Sequence, residues 1–237
     1  MNSNRKIAII VGVLYIIGTV TGVAGLIVMN PILNSPDFLA KTAENSNSMI
    51  VGALLALTMG LALAMVPVVA FPVFRKFNET LAVGYLVFRG GLETITYMGM
   101  AVSRMLLIPL SLAAASAAAS EVPGLQALSA LLLETHDWIN ILLIIVFALG
   151  ALMLYAILYQ SRLVPRWISI WGIIAILLHF ITAFLVMFGL VEMLSPVVLA
   201  MNLPIFLQEM VMAVWLIVKG FNPAAILAVA ETATSEL

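Results

Sequence analysis

The sequence predicts an all-α polytopic membrane protein, a bundle of six transmembrane helices with both ends on the cytoplasmic side. Three observations carry that prediction. Six apolar runs each supply the roughly 20 residues that a helix needs to cross a hydrocarbon core of about 30 Å. Charged residues make up only 9% of the 237 and hydrophobic residues 64%, whereas a soluble domain carries about a quarter charged. Basic residues also fall almost entirely on one side of the spans. A mean hydropathy of +1.21 agrees.

The first span covers residues 7–29. Arg5 and Lys6 precede it in the manner of a signal peptide, but the apolar run exceeds the roughly 7–15 residues of a signal h-region, so it reads as a retained span rather than a leader cleaved near Ala24-Gly25. The second span, 49–74, follows a polar connection that starts at Asn30-Pro31 and runs from Asn34 to Ser48. The turn Arg75-Lys76-Phe77-Asn78-Glu79-Thr80 leads to the third, 81–110. The longest connection, 111–137, holds an Ala/Ser-rich run, Pro123-Gly124, and an apolar stretch 125–133 that either lies in the interface or extends span four. Spans four, five and six cover 138–159, 167–190 and 197–218. No segment outside them is long enough to fold separately, so residues 1–237 read as one domain.

With the N-terminus inside, Arg5, Lys6, Arg75, Lys76, Arg162, Arg166 and Lys219 lie on the inner side and only Lys41 on the outer; Arg89 and Arg104 fall within span three. That is the positive-inside pattern, and Trp138, Trp167 and Trp171 sit where interfacial anchors belong. A formal net charge of −1 with no basic tract gives no footprint for nucleic acid. The absence of cysteine removes disulfides, thiolate metal sites, Fe–S clusters and a cysteine nucleophile. No lysine lies in a span to hold retinal, and no cofactor or metal is implied. The bilayer is the expected surrounding, a small molecule or ion the expected ligand class, and oligomeric state stays open.

Small residues recur at packing intervals: Gly18 and Gly22, then Ala56, Gly60 and Ala64. Such spacing lets helix backbones approach, here read as contacts inside the bundle rather than a dimer seam. Pro67, Pro72 and Pro204 fall inside spans, where each removes an N–H and frees a carbonyl. They read as harmless kinks or as broken helices lining a site.

The candidate site is a set of buried ionisable residues. At about 1.5 Å of rise per residue, Arg89, Glu93, Glu209 and His179 fall about 12–18 Å from the inner boundary. Arg89 and Glu93 are four apart and share a helix face, which Tyr97 continues. An isolated charge at that depth costs roughly 3 kcal/mol on insertion scales. The economical arrangement has the planar Arg89 guanidinium bridging Glu93 and Glu209, with Gln208 and Tyr97 filling the remaining hydrogen bonds. The group reads as a ligand, ion or proton site or as a structural ion pair fixing helix register. His179 reads as a hydrogen-bonded packing residue or as a proton exchanger. A second cluster, Arg104 with Glu134, His136, Asp137 and Asn140, reads as a solvated helix start with Asp137 in the first turn, or as an outer vestibule or metal site.

Four stretches resemble an uncharacterised bacterial integral-membrane family, the domain of unknown function number 4386. They are Ile10-Val11-Gly12-Val13-Leu14-Tyr15-Ile16-Ile17-Gly18-Thr19; Ala82-Val83-Gly84-Tyr85 with Arg89 and Glu93; Leu163-Val164-Pro165-Arg166-Trp167; and the most specific, Leu207-Gln208-Glu209-Met210 through Trp215 to Lys219-Gly220-Phe221. The likeness covers nearly the whole chain. It implies the multi-pass topology in a bacterial plasma membrane and emphasises Glu93 and Glu209, but supplies no activity.

Three function classes fit. A small transporter, channel or ligand-binding membrane protein is supported by buried charge at one depth and proline-bearing spans. Glu93 and Glu209 also lie similarly deep in the third span of each half, as in an inverted repeat. An interaction, immunity or regulatory protein with a structural ion pair needs no conduction path. A membrane-embedded metal-dependent enzyme would need His136, Asp137, His179 and a glutamate to converge, and no HExxH motif is present.

Overall fold

The computed structural model describes residues 3–235, and among them all regular structure is helical. In chain order the elements are α1 (Ser3–Leu33), α2 (Phe38–Glu44), α3 (Ser46–Phe74), α4 (Glu79–Tyr85), a π-helical segment (Leu86–Leu92), α5 (Glu93–Ser116), α6 (Val122–Ser161), α7 (Arg166–Met187), α8 (Pro196–Val218) and α9 (Pro223–Ser235). Six helices are long and apolar enough to cross a membrane: α1, α3, the continuous Glu79–Ser116 run, α6, α7 and α8. The chain is therefore a multi-pass integral membrane protein.

Helix ends follow local chemistry. Asn78 caps α4, its side chain accepting from Leu81 N at 3.0 Å, and Ser195 caps α8 ahead of Pro196. Gly189 and Gly220 stand just past α7 and α8 with φ of 66° and 76°, in the left-handed region where chains leave helices. Some hydroxyls inside the apolar spans bond to carbonyls a turn back, as Thr58 does to Leu54 and Ser111 to Leu107, and these need no outside partner.

Several boundaries depart from the sequence reading. Asn30-Pro31 does not end the first span, because α1 continues to Leu33. The long connection 111–137 is mostly helix: α5 runs to Ser116 and α6 starts at Val122, so the apolar stretch 125–133 extends span four. α6 is thus 40 residues long, and Asp137 is far from its first turn. Pro67, Pro72 and Pro204 sit inside unbroken helices. The irregular backbone occurs instead in span three, at the π-helical segment. A last helix, α9, follows Gly220 over Pro223–Ser235.

The chain divides into two compact units. One comprises residues 1–16, 62–93 and 144–237; the other comprises 17–61 and 94–143. In the first, buried Tyr15, Val66, Tyr85, Tyr155, Ile168, Ile176 and Met212 make the core. In the second, Met29, Ile32, Met49 and Leu107 form a buried cluster onto which Phe38, Leu132 and Leu133 pack. Its small residues pack internally: Gly22 lies against the Met59 side chain and Gly60 against the Tyr97 ring.

Candidate functional site

The site lies in the first unit and starts with a backbone irregularity. In the π-helical segment the N–H of Glu93 reaches the carbonyl of Phe88, five residues back rather than four. Gly90 and Gly91, poor helix formers, occupy the middle of this segment. On one side α6 approaches closely, because Gly150 has no side chain: a Cβ there would stand 3.3 Å from Arg89 N and 3.2 Å from Phe88 Cβ. Arg89 is thereby held in the interior at 2% exposure.

Its guanidinium serves two carboxylates. Nη1 donates to Glu93 Oε2 at 3.1 Å and lies 3.1 Å from Oε1 as well. Nη2 donates to Glu209 Oε1 on α8 at 3.2 Å. The two acids differ in setting: the Glu93 side chain is 2% exposed and that of Glu209 15%. Aromatic rings enclose the cation, with the guanidinium carbon 4.5 Å from the Phe147 ring centre and 5.7 Å from that of Tyr15. Ring faces carry negative potential and add to the attraction. The Arg89 Nε is buried without a hydrogen-bond partner.

Three buried tyrosines border this group. Tyr15 and Tyr85 face each other with hydroxyls 3.1 Å apart. Tyr155 donates to Gln208 Oε1 at 2.6 Å, and Gln208 Nε2 donates to the carbonyl of Ile168 at 3.0 Å. All three phenols stand within electrostatic reach of Arg89 and Glu209. Sequence reasoning missed them, although Tyr85 lies one turn before Arg89 on the face that Glu93 continues.

The other expected members make further contacts. Gln208 does not fill a bond of the carboxylates; consecutive helix residues diverge by about 100°, so it points to Tyr155 and Ile168 while Glu209 meets Arg89. Tyr97 belongs to the second unit, packed on Gly60. His179 Nδ1 donates to Asn202 Oδ1 at 2.7 Å, and its ring packs edge-on against Phe147 with centroids 5.5 Å apart. Asn202 went unnoticed in the sequence, though it lies two turns before Glu209 on the same helix.

In the second unit, Arg104 Nε donates to His136 Nδ1 at 3.2 Å, and Ser103 Oγ lies 3.4 Å from the same nitrogen. Asn140 is half-buried, and Glu134 and Asp137 are exposed. Among the described residues, no three His, Asp or Glu side chains are grouped as metal ligands.

No curated protein and no solved structure matches this chain. The family model described as a domain of unknown function, DUF4386, matches residues 10–220 and so takes in Arg89, Glu93, Gln208, Glu209 and the three tyrosines. An integral membrane protein of six candidate spans, with that model running over nearly all of its length, belongs to the DUF4386 family.

Proposed function

We propose that this protein is a small transporter, channel or ligand-binding protein of the membrane, working through the Arg89–Glu93–Glu209 group. The observation that carries the reading is a charge imbalance. One guanidinium is shared by two carboxyl groups from separate helices, so the formal charges of the three side chains sum to −1 in an apolar interior. Uncompensated charge in such surroundings is expensive, and intramembrane ionisable groups ordinarily mark ion or proton paths. The π-helical backbone beneath Arg89 supports the same reading, because such irregularities gather at working sites. A site of this kind takes up a proton or a small ligand to balance itself.

The test is proton movement into sealed proteoliposomes carrying an internal pH dye, under an imposed membrane potential. Wild type is expected to pass protons above the level of empty vesicles, and Glu209→Gln and Glu93→Gln to lose that excess. Equal fluxes in all three proteins would count against the reading.

One observation favours a second reading, a regulatory or interaction protein with a structural ion pair. The depressions of the surface include two lined mostly by apolar side chains. One of about 610 Å³ is lined by Val23, Leu26, Ile27, Asn30 and Lys41, among others, and one of about 420 Å³ by Met210, Val214, Trp215 and Lys219, among others. Neither includes Arg89, Glu93 or Glu209. On this reading the Gln variants leave proton flux unchanged.

A further inference from the structure

We propose that the groove along the last turns of α8 binds one anionic phospholipid, with an acyl chain over Met210, Val211 and Val214 and the phosphate on Lys219 and Trp215. The site is on the lipid-facing surface and does not depend on how the Arg89 group works.

The groove is a depression of about 420 Å³ lined by Met210, Val211, Val214, Trp215, Val218 and Lys219. Its one charged member, Lys219, stands at the end of the helix. From Met210 to Lys219 the helix rises about 14 Å. One leaflet supplies half of a hydrocarbon core of about 30 Å. The groove therefore has the depth of one leaflet, apolar along its length and cationic at one end. A phospholipid has the same division, a chain of that reach ending in a charged head.

Chemistry at the cationic end selects the head. Trp215 and Lys219 are four apart and share a helix face. An indole N–H and an ammonium are donors only. Among the described residues, neither side chain donates a hydrogen bond or joins an ion pair within the protein. A helix C-terminus ordinarily repels anions through its free carbonyls. Here Arg5 covers that negative end: Nη1 donates to the carbonyl of Leu216, and Nη2 to those of Ile217 and Val218. Arg5 is in no ion pair either, so its charge is set against carbonyl dipoles and not against a carboxylate. Two cations thus stand at the end of α8 with no acid paired to either. A phosphodiester brings the acceptor oxygens and the negative charge that both lack. In a zwitterionic lipid the head's own ammonium offsets that charge, so the site favours the anionic head.

The experiment uses the full chain in detergent, titrated with phosphatidylglycerol and with phosphatidylcholine of identical acyl chains. Native mass spectrometry counts the bound lipids. The first phosphatidylglycerol is expected to bind at least about fivefold tighter than the first phosphatidylcholine, the ratio that one cation at a membrane surface confers. Lys219→Gln should remove that preference and Lys219→Arg should keep it. Lys76→Gln takes away an exposed cation in the turn between α3 and α4, and should change nothing. Val214→Trp fills the groove from a position that is already exposed, and should weaken both lipids. Glycerol 1-phosphate, a head without chains, should not displace phosphatidylglycerol at millimolar concentration. Equal affinity for the two lipids, loss of the preference in Lys219→Arg, an equal loss in Lys219→Gln and Lys76→Gln, or full affinity in Val214→Trp would overturn the proposal. Displacement by glycerol 1-phosphate would overturn it too, because the site would then hold phosphate without the groove.

Discussion

Tyr155 on α6 donates a 2.6 Å hydrogen bond to Oε1 of Gln208 on α8, one residue before Glu209. The Gln208 amide nitrogen in turn donates to the carbonyl of Ile168 on α7. One glutamine thus ties three helices, with Tyr155, Ile168 and Gln208 all fully enclosed. Tyr155→Phe keeps the ring but leaves the Gln208 oxygen buried without its donor, at a cost of about 1–2 kcal/mol. Thermal unfolding in detergent should show that loss. The double variant Tyr155→Phe with Gln208→Met should recover part of it, because no orphaned oxygen remains. A Tyr155→Phe protein as stable as wild type would mean that another donor satisfies Gln208.

The ion triad leads to a different pattern. Arg89→Ala leaves Glu93 and Glu209 facing each other in an apolar interior, and breaking a buried ion pair from one side typically costs about 3–5 kcal/mol. Replacing Arg89 with Met together with Glu209→Gln removes one charge of each sign, and should be milder than Arg89→Ala alone. Glu209→Gln by itself should be mild as well, since Glu93 keeps the guanidinium occupied. The order of melting temperatures, with Arg89→Ala lowest, is the check.

The spans were readable because hydropathy alone marks a membrane helix, and the Arg89–Glu93 contact because residues four apart share a helix face. Depth along the helix brought Glu209 into the same group. Three features escaped for one physical reason: in a helix apolar on every side, the sequence does not say which face turns inward. The sequence therefore offers Gln208 to the carboxylates although it faces Tyr155, and nothing in it sets Tyr15 and Tyr155 apart from other span residues. The π-helical segment had a faint signal in Gly90-Gly91. The prolines drew attention as breakers instead, yet α3 and α8 run through theirs unbroken.

A matched pair of glycine substitutions tests whether close packing around Tyr155 is required. A Cβ on Gly172 would lie 2.6 Å from both Cδ1 and Cζ of the Tyr155 ring. The ring cannot retreat freely, because its hydroxyl is bonded to Gln208. Gly172→Ala should cost about 1–3 kcal/mol, the usual range for overpacking. At Gly91 a Cβ would meet no heavy atom within 4 Å. Gly91→Ala, which improves helix propensity by up to about 1 kcal/mol, should leave stability unchanged or raise it. Chemical denaturation of both proteins reads the contrast, and equal losses would contradict the close α6–α7 contact at Tyr155.

The orientation of the chain can be settled by labelling, and we expect both termini to be cytoplasmic. Arg5, at the start of α1, donates to the carbonyls of Leu216, Ile217 and Val218 at the end of α8, with bonds of 3.0, 2.6 and 3.0 Å. A cation at a helix C-terminus is favourable in its own right, and this contact puts the two chain ends of the spans on one side, as an even number of crossings requires. Basic residues then decide which side. Arg75, Lys76, Arg162, Arg166 and Lys219 join Arg5 and Lys6 there, against Lys41 alone opposite, and such asymmetry marks the cytoplasmic face. Because the chain has no cysteine of its own, single cysteines can be introduced without background. Asn34→Cys, Lys76→Cys and Asn222→Cys are suitable, all three positions being exposed. In intact cells a membrane-impermeant maleimide should modify Asn34→Cys and reach the other two only after lysis. Labelling of Lys76→Cys or Asn222→Cys before lysis, with Asn34→Cys protected, would reverse the orientation. Labelling of Lys76→Cys and Asn222→Cys on opposite sides would contradict the contact between Arg5 and the end of α8.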